Sequence, residues 1–235
     1  MKEFFMTHWL AWGMVLPMTL LLPIFSGKLG AGGDFGALVE LPKPNLDGKV
    51  SVEAAVQRRR SVREYAGQPL TLAEVAQLLW AAQGVAGGGR LRTAPSAGAL
   101  YPLELYVVAG NVAHLPAGVY RYLPHEHRLL RIVEGDKRSE LAAAALGQSW
   151  VRSGAAVLVF TAVFERTTRK YGQRGIQYVH MEVGHAAQNV CLQAVALDLG
   201  SVVVGAFRDR QVQQVLQLPE QEQPLYIMPL GKRSY

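Results

Sequence analysis

Residues 177–206 read QYVHMEVGHAAQNVCLQAVALDLGSVVVGA, and this stretch decides the class of fold. Apolar side chains recur at helical spacing up to residue 199, at Val179, Val183, Ala187, Val190, Leu192, Ala194 and Leu197. Gly200 stands in the usual position after a helix C-terminus, and residues 201–206 form an apolar run typical of a buried strand. The stretch therefore predicts a long helix over residues 177–199 that leads directly into a buried strand.

Other helices and strands are marked by capping residues and by apolar runs. Ser51 and Thr71 each stand where a helix N-cap is expected, and Thr71 with Glu74 forms a capping-box pattern. The patterns predict helices at 52–59, 72 to about 84, 139–146 and 209–216, strands at 103–109, 155–163 and 224–230, and a hairpin of 118–122 with 129–133. Because helices and strands do not alternate strictly, this order predicts an α+β fold rather than a doubly wound sheet.

The first part of the chain differs from the rest in composition. Residues 9–25 read WLAWGMVLPMTLLLPIF, an apolar run whose length falls between a signal-peptide core and a minimal membrane span. We expect residues 1–26 to form a membrane anchor or a signal, with a buried N-terminal helix or a misassigned start codon as the alternatives. Residues 27–50 are expected to be a linker and 51–235 the folded domain. The expected location is a membrane; the sequence leaves open on which side the folded domain lies, with the cytoplasmic side slightly favoured.

Charge and ligand spacing argue against several classes of partner. The chain has 24 Lys and Arg against 18 Asp and Glu, an excess that suits an anionic cofactor or an acidic membrane surface. The basic residues are scattered without interleaved aromatic residues, so we expect no nucleic acid. His180 and His185 lack the i, i+4 spacing of a helical zinc site, so we expect no metal. The single cysteine, Cys191, excludes an intramolecular disulfide.

Residues 58–63 read RRRSVR and gather several guanidinium groups beside a hydroxyl. Arg donates bidentate hydrogen bonds to phosphate and keeps its charge at any working pH. In an extended segment Arg59, Ser61 and Arg63 share one side, because alternate residues face the same way. The segment is a candidate cradle for a phosphate and a polyol chain, with a solvated basic patch or a membrane-surface patch as the alternatives.

Five segments, taken in order, give the chain a family resemblance. They read RRSVREY, PLTLAEVAQLLWAAQGV, PSAGALYPLELYVV, GVYRY and KYGQRGIQYVHMEVGHAAQNVCLQAVALDLGSVVVGAF. Together they resemble the SagB/ThcOx branch of the nitroreductase family from about Ser51 to Arg233. The resemblance implies an α+β nitroreductase-like fold, with a central mixed or antiparallel sheet flanked by helices. It also implies an intertwined homodimer with FMN at the subunit interface.

The resemblance assigns cofactor contacts to four short segments. The matching positions, in chain order, are Arg59, Arg60, Ser61 and Arg63; Pro95, Ser96, Ala97 and Gly98; Val204, Gly205 and Ala206; and Lys232 and Arg233. The first group is implied to bind the FMN phosphate and ribityl chain, and the second to lie against the flavin ring, usually from the other subunit. The third is implied to offer a backbone N–H to flavin N5, and the fourth to lie near the phosphate or the N1–C2=O edge. Without the resemblance, a Pro/Gly turn entering a strand is the better interpretation of the second group, and a frayed basic tail is the alternative for the fourth.

Lys170 and Tyr171 match the Lys-Tyr pair of the azoline oxidases in this branch. Dehydrogenation removes a hydride and a proton, so a base is needed beside the carbon that loses the hydride. We expect the pair in a loop before the long helix, where burial or the neighbouring Arg166, Arg169 and Arg174 favour an uncharged Lys170. An exposed basic loop is the alternative.

Three functions follow from these observations. The first is an FMN-dependent dehydrogenase that transfers hydride through flavin N5, with a small molecule or azoline heterocycles in peptides as substrate. The second is a nitro or quinone reductase that uses NAD(P)H as a transient reductant. The third is a membrane-tethered flavin-binding subunit without turnover.

Overall fold

The computed structural model describes residues 36–234. In chain order, its strands are β1 (Leu38–Glu40), β2 (Val85–Ala86), β3 (Leu91–Arg92), β4 (Leu103–Ala109), β5 (Gly118–Leu123), β6 (Arg128–Glu134), β7 (Ala156–Ala162), β8 (Leu199–Ser201) and β9 (Gln223–Lys232). Its α-helices are α1 (Val52–Arg58), α2 (Leu72–Gln83), α3 (Arg138–Ala144), α4 (Ser149–Ser153), α5 (Glu165–Tyr171), α6 (Arg174–Ala196) and α7 (Asp209–Leu216). Short 3-10 helices lie at Gly87–Gly89 and Ala97–Ala99, between α2 and β4.

Seven strands of the described chain form one sheet in the order β1-β6-β5-β4-β7-β9-β8. Neighbouring strands in this order are antiparallel. β2 and β3 form a separate antiparallel pair. An antiparallel sheet with flanking helices confirms the predicted α+β class.

Strand β4 shows why the central strands are largely apolar on both faces. Leu105 and Val107 lie in a core shared with α2 and α6, whereas Tyr106 and Val108 lie in a second core shared with α3 and α7. Successive side chains of a strand point to opposite faces. A sheet covered by helices on both faces therefore needs apolar side chains throughout.

Helix α6 ends earlier than its apolar pattern predicts. The chain leaves the helix after Ala196, and Asp198 has a φ of 56°. The prediction that Gly200 ends the helix is wrong, because Gly200 lies in β8 and pairs with Gly231 of β9. The pattern extends past the helix because Leu199, although in a strand, is buried in the same core as α6.

Local predictions elsewhere are largely confirmed. Ser51 caps α1, and Thr71 and Glu74 form the capping box of α2. The hairpin of β5 with β6 and the bounds of α7 also match. The strand expected at 201–206 is present only in part: β8 ends at Ser201, and Val204 then makes an isolated bridge with Ile227.

The N-terminal predictions are corrected at two points. Part of the expected linker belongs to the sheet, since Val39 of β1 pairs with Leu129 of β6. The predicted membrane location is wrong, because no helix between residues 36 and 234 is long and apolar enough to cross a bilayer. Even α6, 23 residues long, interrupts its apolar residues with polar ones such as Glu182 and His185. The run at residues 9–25, on which the prediction rested, lies outside the described residues.

Candidate functional site

The arginine segment that follows α1 lies along the edge formed by β8 and β9. The Val62 N–H donates to Ser201 O, and the Ala66 N–H donates to Lys232 O, both at 2.9 Å. Tyr65 forms an isolated bridge with Arg233, and its ring covers Gly231, where a β-carbon would lie 2.8 Å from the ring. Any side chain at Gly231 would therefore push the segment off the sheet.

The guanidinium groups of this segment differ in their partners. Arg60 turns back, and its Nη1 donates to Gln57 O and Arg59 O at 2.9 and 2.7 Å. Arg63 lies over the Trp150 ring of α4, 5.5 Å from the ring centre. Within residues 36–234, Arg59 and Arg63 have no carboxylate at ion-pair distance. Two cations without a counter-ion beside the Ser61 hydroxyl suit a phosphate.

The C-terminal cations both have acidic neighbours. Lys232 Nζ contacts Glu74 Oε1, and Arg233 Nη1 lies 3.8 Å from Asp198 Oδ1. Burial alone would raise the pKa of Glu74, but the hydrogen bonds from Lys232 and Thr71 lower it on balance. Lys232 thus ties β9 to the N-terminus of α2, and Arg233 is the less tightly held of the two.

The predicted flavin-contacting strand end is partly engaged in the sheet. The Val204 N–H donates to Ile227 O at 2.8 Å, so it is not available to a flavin nitrogen. Gly205 and Ala206 are exposed, and Ala206 O accepts from Gln148 Nε2 at 2.9 Å. Of the three predicted residues, Gly205 and Ala206 remain the candidates for a backbone donor.

An open groove of about 970 Å³ begins at this strand end. Its lining includes Gly205, Phe207 and Tyr226 and also Gly172 and His180. Gly172 directly follows Tyr171 at the end of α5. The groove therefore connects the predicted flavin-contacting strand end with the neighbourhood of the predicted catalytic pair.

The loop of Pro95, Ser96, Ala97 and Gly98 lies against Lys170 and Tyr171. A β-carbon at Gly98 would lie 2.7 Å from Tyr171 Oη and 3.1 Å from Lys170 Nζ. Gly98 has a φ of 63°, and Ala99 also has a positive φ. Non-glycine residues with positive φ are strained and are common at functional sites. Two segments predicted separately from the sequence are thus brought together.

The surroundings of Lys170 differ from the expectation. The pair lies in helix α5 and not in a loop, and Lys170 is exposed, with its Nζ 5.3 Å from the centre of the Tyr171 ring. Arg166 donates to Glu104 Oε1 at 2.6 Å, and Arg169 pairs with Glu165. These two cations are committed to carboxylates and do not form the expected positive surrounding.

Three residues near the site were not predicted from the sequence to belong to it. Trp150 contacts Arg63, and Gln148 donates to Ala206 O. No spacing or motif in the sequence indicates a role for either residue. Glu182 of α6 is buried beside the Ser96 loop, and burial raises its pKa to about 7. Its only sequence signal is an acidic residue in the middle of an apolar helix. The described residues contain no group of three or more His, Cys, Asp or Glu that could hold a metal ion.

Comparison with known proteins gives consistent matches over the described chain. The family model described as the nitroreductase family matches residues 56–232. A Methanocaldococcus jannaschii protein named as a nitroreductase is 46% identical over 198 residues, 84% of this chain and 98% of that protein. A solved structure from Ralstonia eutropha, also named as a nitroreductase, has a TM-score of 0.75 at 31% identity and covers 89% of this chain and 96% of that one. The microcin B17-processing protein of Escherichia coli is 31% identical over 151 residues, 61% of this chain and 55% of that protein.

Proposed function

The chain belongs to the nitroreductase family of oxidoreductases, and on this premise we propose that it is an FMN-dependent dehydrogenase of the SagB/ThcOx type. The observation that carries the proposal is the contact of Gly98, in the predicted flavin-ring loop, with Lys170 and Tyr171, the predicted catalytic pair. When bound, FMN supplies the hydride acceptor at ring nitrogen N5. The protein then has to hold the cofactor, orient the substrate and accept a proton.

The arginine segment is the proposed holder of the FMN phosphate. Arg59 and Arg63 have no carboxylate partner within the described chain, and Ser61 lies exposed between them. Arg60 contributes mainly by stabilising the backbone of the segment, since its guanidinium donates to Gln57 O and Arg59 O. Arg233 is a further cation beside the segment, because Tyr65 of the same segment bridges to it.

The proposed flavin ring lies against small residues. Pro95, Ser96, Ala97 and Gly98 permit a close backbone approach on one side, and the exposed Gly205 and Ala206 on the other. Lys232 forms an ion pair with Glu74. Its proposed effect on the flavin is therefore through its charge and not through a direct hydrogen bond. A cation near the ring favours the anionic reduced state of a flavin.

Lys170 and Tyr171 are the proposed proton acceptors. As the substrate loses a hydride, a neighbouring C–H of the substrate loses a proton, and Lys170 with Tyr171 is proposed to accept it. Tyr171 Oη lies beside Gly98 and orients the acceptor. The exposure of Lys170 lets the proton leave to solvent before the next turnover.

A homodimer with FMN at the interface is the proposed assembly. Within residues 36–234, no hydrogen bond or ion pair joins the arginine segment and its β8–β9 edge to the loop of Ser96 and Gly98. Such a division suits a site in which the arginine segment of one subunit and the loop of the other share each flavin. In this assembly the groove lined by Gly205 is the proposed binding place of the substrate.

An azoline ring in a peptide is the proposed substrate class, and a small molecule with two equivalent adjacent C–H bonds is the alternative. The resemblance of the Lys-Tyr pair and the similarity to the microcin B17-processing protein support the peptide substrate. A groove of about 970 Å³ that is open to solvent also suits a segment of a longer chain.

Reduction of nitro or quinone compounds by NAD(P)H is the second candidate. It is favoured by the 46% identity to a protein named as a nitroreductase over nearly the whole of that protein. In that reaction the nicotinamide is the hydride donor and the nitro compound or quinone is the acceptor. Lys170 would then have no essential role as a base.

The test of the proposal uses the full chain, purified and titrated with FMN. We expect saturable binding of one FMN per subunit, a dimer by light scattering, and anaerobic bleaching of the flavin by an azoline-containing peptide. Bleaching by NADPH alone, with no response to azolines, would favour the second candidate. A protein that takes up no FMN contradicts both.

A further inference from the structure

A cavity of about 330 Å³ lies beside the end of the arginine segment. Its lining includes Tyr65 of that segment and Gly67 just after it, Gly110 and Asn111 after β4, and Ser153 at the end of α4. The arginines proposed to hold the FMN phosphate do not line it, and it shares no residue with the groove at Gly205. The cavity is therefore separate from the proposed flavin site.

The side chains that line this cavity are rich in hydrogen-bond donors. They include two guanidinium groups, two primary amides and a hydroxyl, which belong to Arg138, Arg152, Gln68, Asn111 and Ser153. Among the described residues, no Asp or Glu lines the cavity. A concave surface with positive charge and donors, and without carboxylates, favours an anionic ligand.

The Arg138 guanidinium is fixed at the wall of the cavity. It pairs with Asp136 at 2.6 Å, and its Nη1 donates to Gly154 O at 2.7 Å. A β-carbon at Gly110 would lie 1.8 Å from Arg138 Nε, so the absence of a side chain at Gly110 lets the guanidinium lie against the backbone. An arginine has five N–H groups, and the bonds to Asp136 and Gly154 leave one N–H on each terminal nitrogen. Arg138 is thus an oriented donor whose charge is already balanced.

Arg152 supplies the unbalanced charge of the cavity. It is exposed near the end of α4, and within residues 36–234 no carboxylate lies at ion-pair distance from it. Ser153, the next residue, brings its hydroxyl to the same cavity. A guanidinium without a counter-ion, beside neutral donors, suits a carboxylate or a phosphate.

Hydrogen bonds between separate segments hold the backbone around the cavity. Asn111 Nδ2 donates to Gly67 O at 3.0 Å, and the Asn111 N–H donates to Ala155 O at 2.8 Å. The Tyr65 hydroxyl donates to Val62 O at 2.9 Å. The walls are therefore formed before a ligand binds, and little free energy is spent on ordering them.

We propose that this cavity binds a small organic anion, whose phosphate or carboxylate group pairs with Arg152 and accepts from Arg138 and Ser153. Since a water molecule occupies about 30 Å³ in the liquid, the volume admits a ligand of roughly ten non-hydrogen atoms. The Gln68 amide both donates and accepts, which suits hydroxyl groups on the rest of the ligand. A phosphate ester of a small polyol and a hydroxylated dicarboxylate share this chemistry. The site does not depend on the function proposed above.

The test titrates the full chain with glycerol 3-phosphate and, separately, with malate, and follows the backbone amides by NMR in a buffer without phosphate. For at least one of the two anions we expect saturable shifts at Gly67, Gly110, Asn111 and Ser153, with a dissociation constant of about 1 mM or below. The anion that binds more tightly identifies the preferred acidic group. Glycerol, the uncharged match of the phosphate ester, should shift none of these amides. Shifts confined to residues 59–63, or no saturation with either anion, would overturn the proposal.

Exposed arginines provide a variant and its matched control. Arg152→Ala should weaken binding of the anion at least about tenfold, because a charged hydrogen-bonding partner is lost. Since Arg152 is exposed, this variant should unfold at the same temperature as the unmodified protein. Arg210→Ala removes an exposed arginine of α7 that lines neither the cavity nor the groove, and it should bind the anion normally. Normal binding by Arg152→Ala, or an equal loss in Arg210→Ala, would contradict a specific site.

Arg59→Ala combined with Arg63→Ala separates this cavity from the proposed phosphate site of FMN. The double variant should bind the organic anion with unchanged affinity, because neither arginine lines the cavity. Loss of anion binding in this variant would place the anion at the arginine segment and overturn the proposal. If the anion binds in the cavity but the chain takes up no FMN, the proposed function fails and the anion site stands. If FMN binds and neither anion does, the anion site fails and the proposed function stands.

Discussion

Gly98 and Tyr171 are in direct contact: a β-carbon at Gly98 would lie 2.7 Å from the Tyr171 hydroxyl oxygen. The contact joins the loop before β4 to the end of α5, and Lys170 Nζ is almost as close to the same point. Small changes at Gly98 should therefore affect the catalytic pair before they affect the fold.

Gly98→Ala should reduce turnover by on the order of 10- to 100-fold, because displaced catalytic groups lose orientation. The left-handed φ of 63° adds a stability cost of about 1 kcal/mol. Steady-state kinetics and urea unfolding measure the two effects. Gly135→Ala is the matched control, with a φ of 80° and no atom within 4 Å of its β-carbon. Equal loss of activity in both variants would show that strain alone, and not the contact with Tyr171, is responsible.

Lys170→Ala should lower the rate of substrate oxidation at least about 100-fold, the usual contribution of a general base, while FMN stays bound. Anaerobic flavin reduction by substrate, followed by absorbance, measures this rate. Arg169→Ala is the control on the same helix, since Arg169 is exposed and pairs only with Glu165 in the described chain. Full activity of Lys170→Ala would show that Lys170 is not the general base and would favour the nicotinamide-dependent reductase.

Arg59→Ala combined with Arg63→Ala should weaken FMN binding at least about 100-fold, because two charged hydrogen-bonding partners of the phosphate are lost. Fluorescence titration with FMN gives the dissociation constant, and titration with riboflavin, which has no phosphate, should show little change. Of the three arginine substitutions, Arg60→Ala should weaken FMN binding least, since the Arg60 guanidinium donates to backbone carbonyls. Unchanged FMN affinity in the double variant would eliminate the phosphate site.

Glu182→Gln should increase stability at high pH. The pKa of Glu182 is about 7 in the folded protein and near 4.5 when unfolded, so the folded state binds its proton more tightly. The stabilising contribution is complete below about pH 4.5 and is lost as the pH rises to about 7. Relative to the unmodified protein, Glu182→Gln should gain on the order of 3 kcal/mol between these limits. Urea unfolding of both proteins at about pH 5 and about pH 8 measures the gain, and an equal difference at the two pH values would refute a raised pKa.

The elements that sequence reasoning located best are those stabilised by near neighbours in the chain. The capping box of Thr71 and Glu74 and the bounds of α7 depend on side chains within a turn or two, and both are confirmed. The end of α6 was misplaced because the apolar pattern records burial, and Leu199 is buried as part of a strand.

For the candidate site, the residue types were visible in the sequence but their partners were not. The arginine segment, the PSAG loop and the Lys-Tyr pair could all be named, and the structure brings the last two together. Spacing in the sequence could not show that Arg60 turns back to its own backbone, that Glu74 pairs with Lys232 or that Lys170 is exposed.

By itself the sequence determined the family, the α+β class and the chemical types that meet at the site. Only the tertiary structure decided which guanidiniums lack a counter-ion, and that a buried Glu182 stands behind the Ser96 turn. The physical reason is distance: caps and periodicity are satisfied within a few residues, whereas burial and charge pairing depend on segments far apart in the chain. The contact of Gly98 with Tyr171 is of this second kind, because it forms only when the sheet places the loop before β4 beside α5.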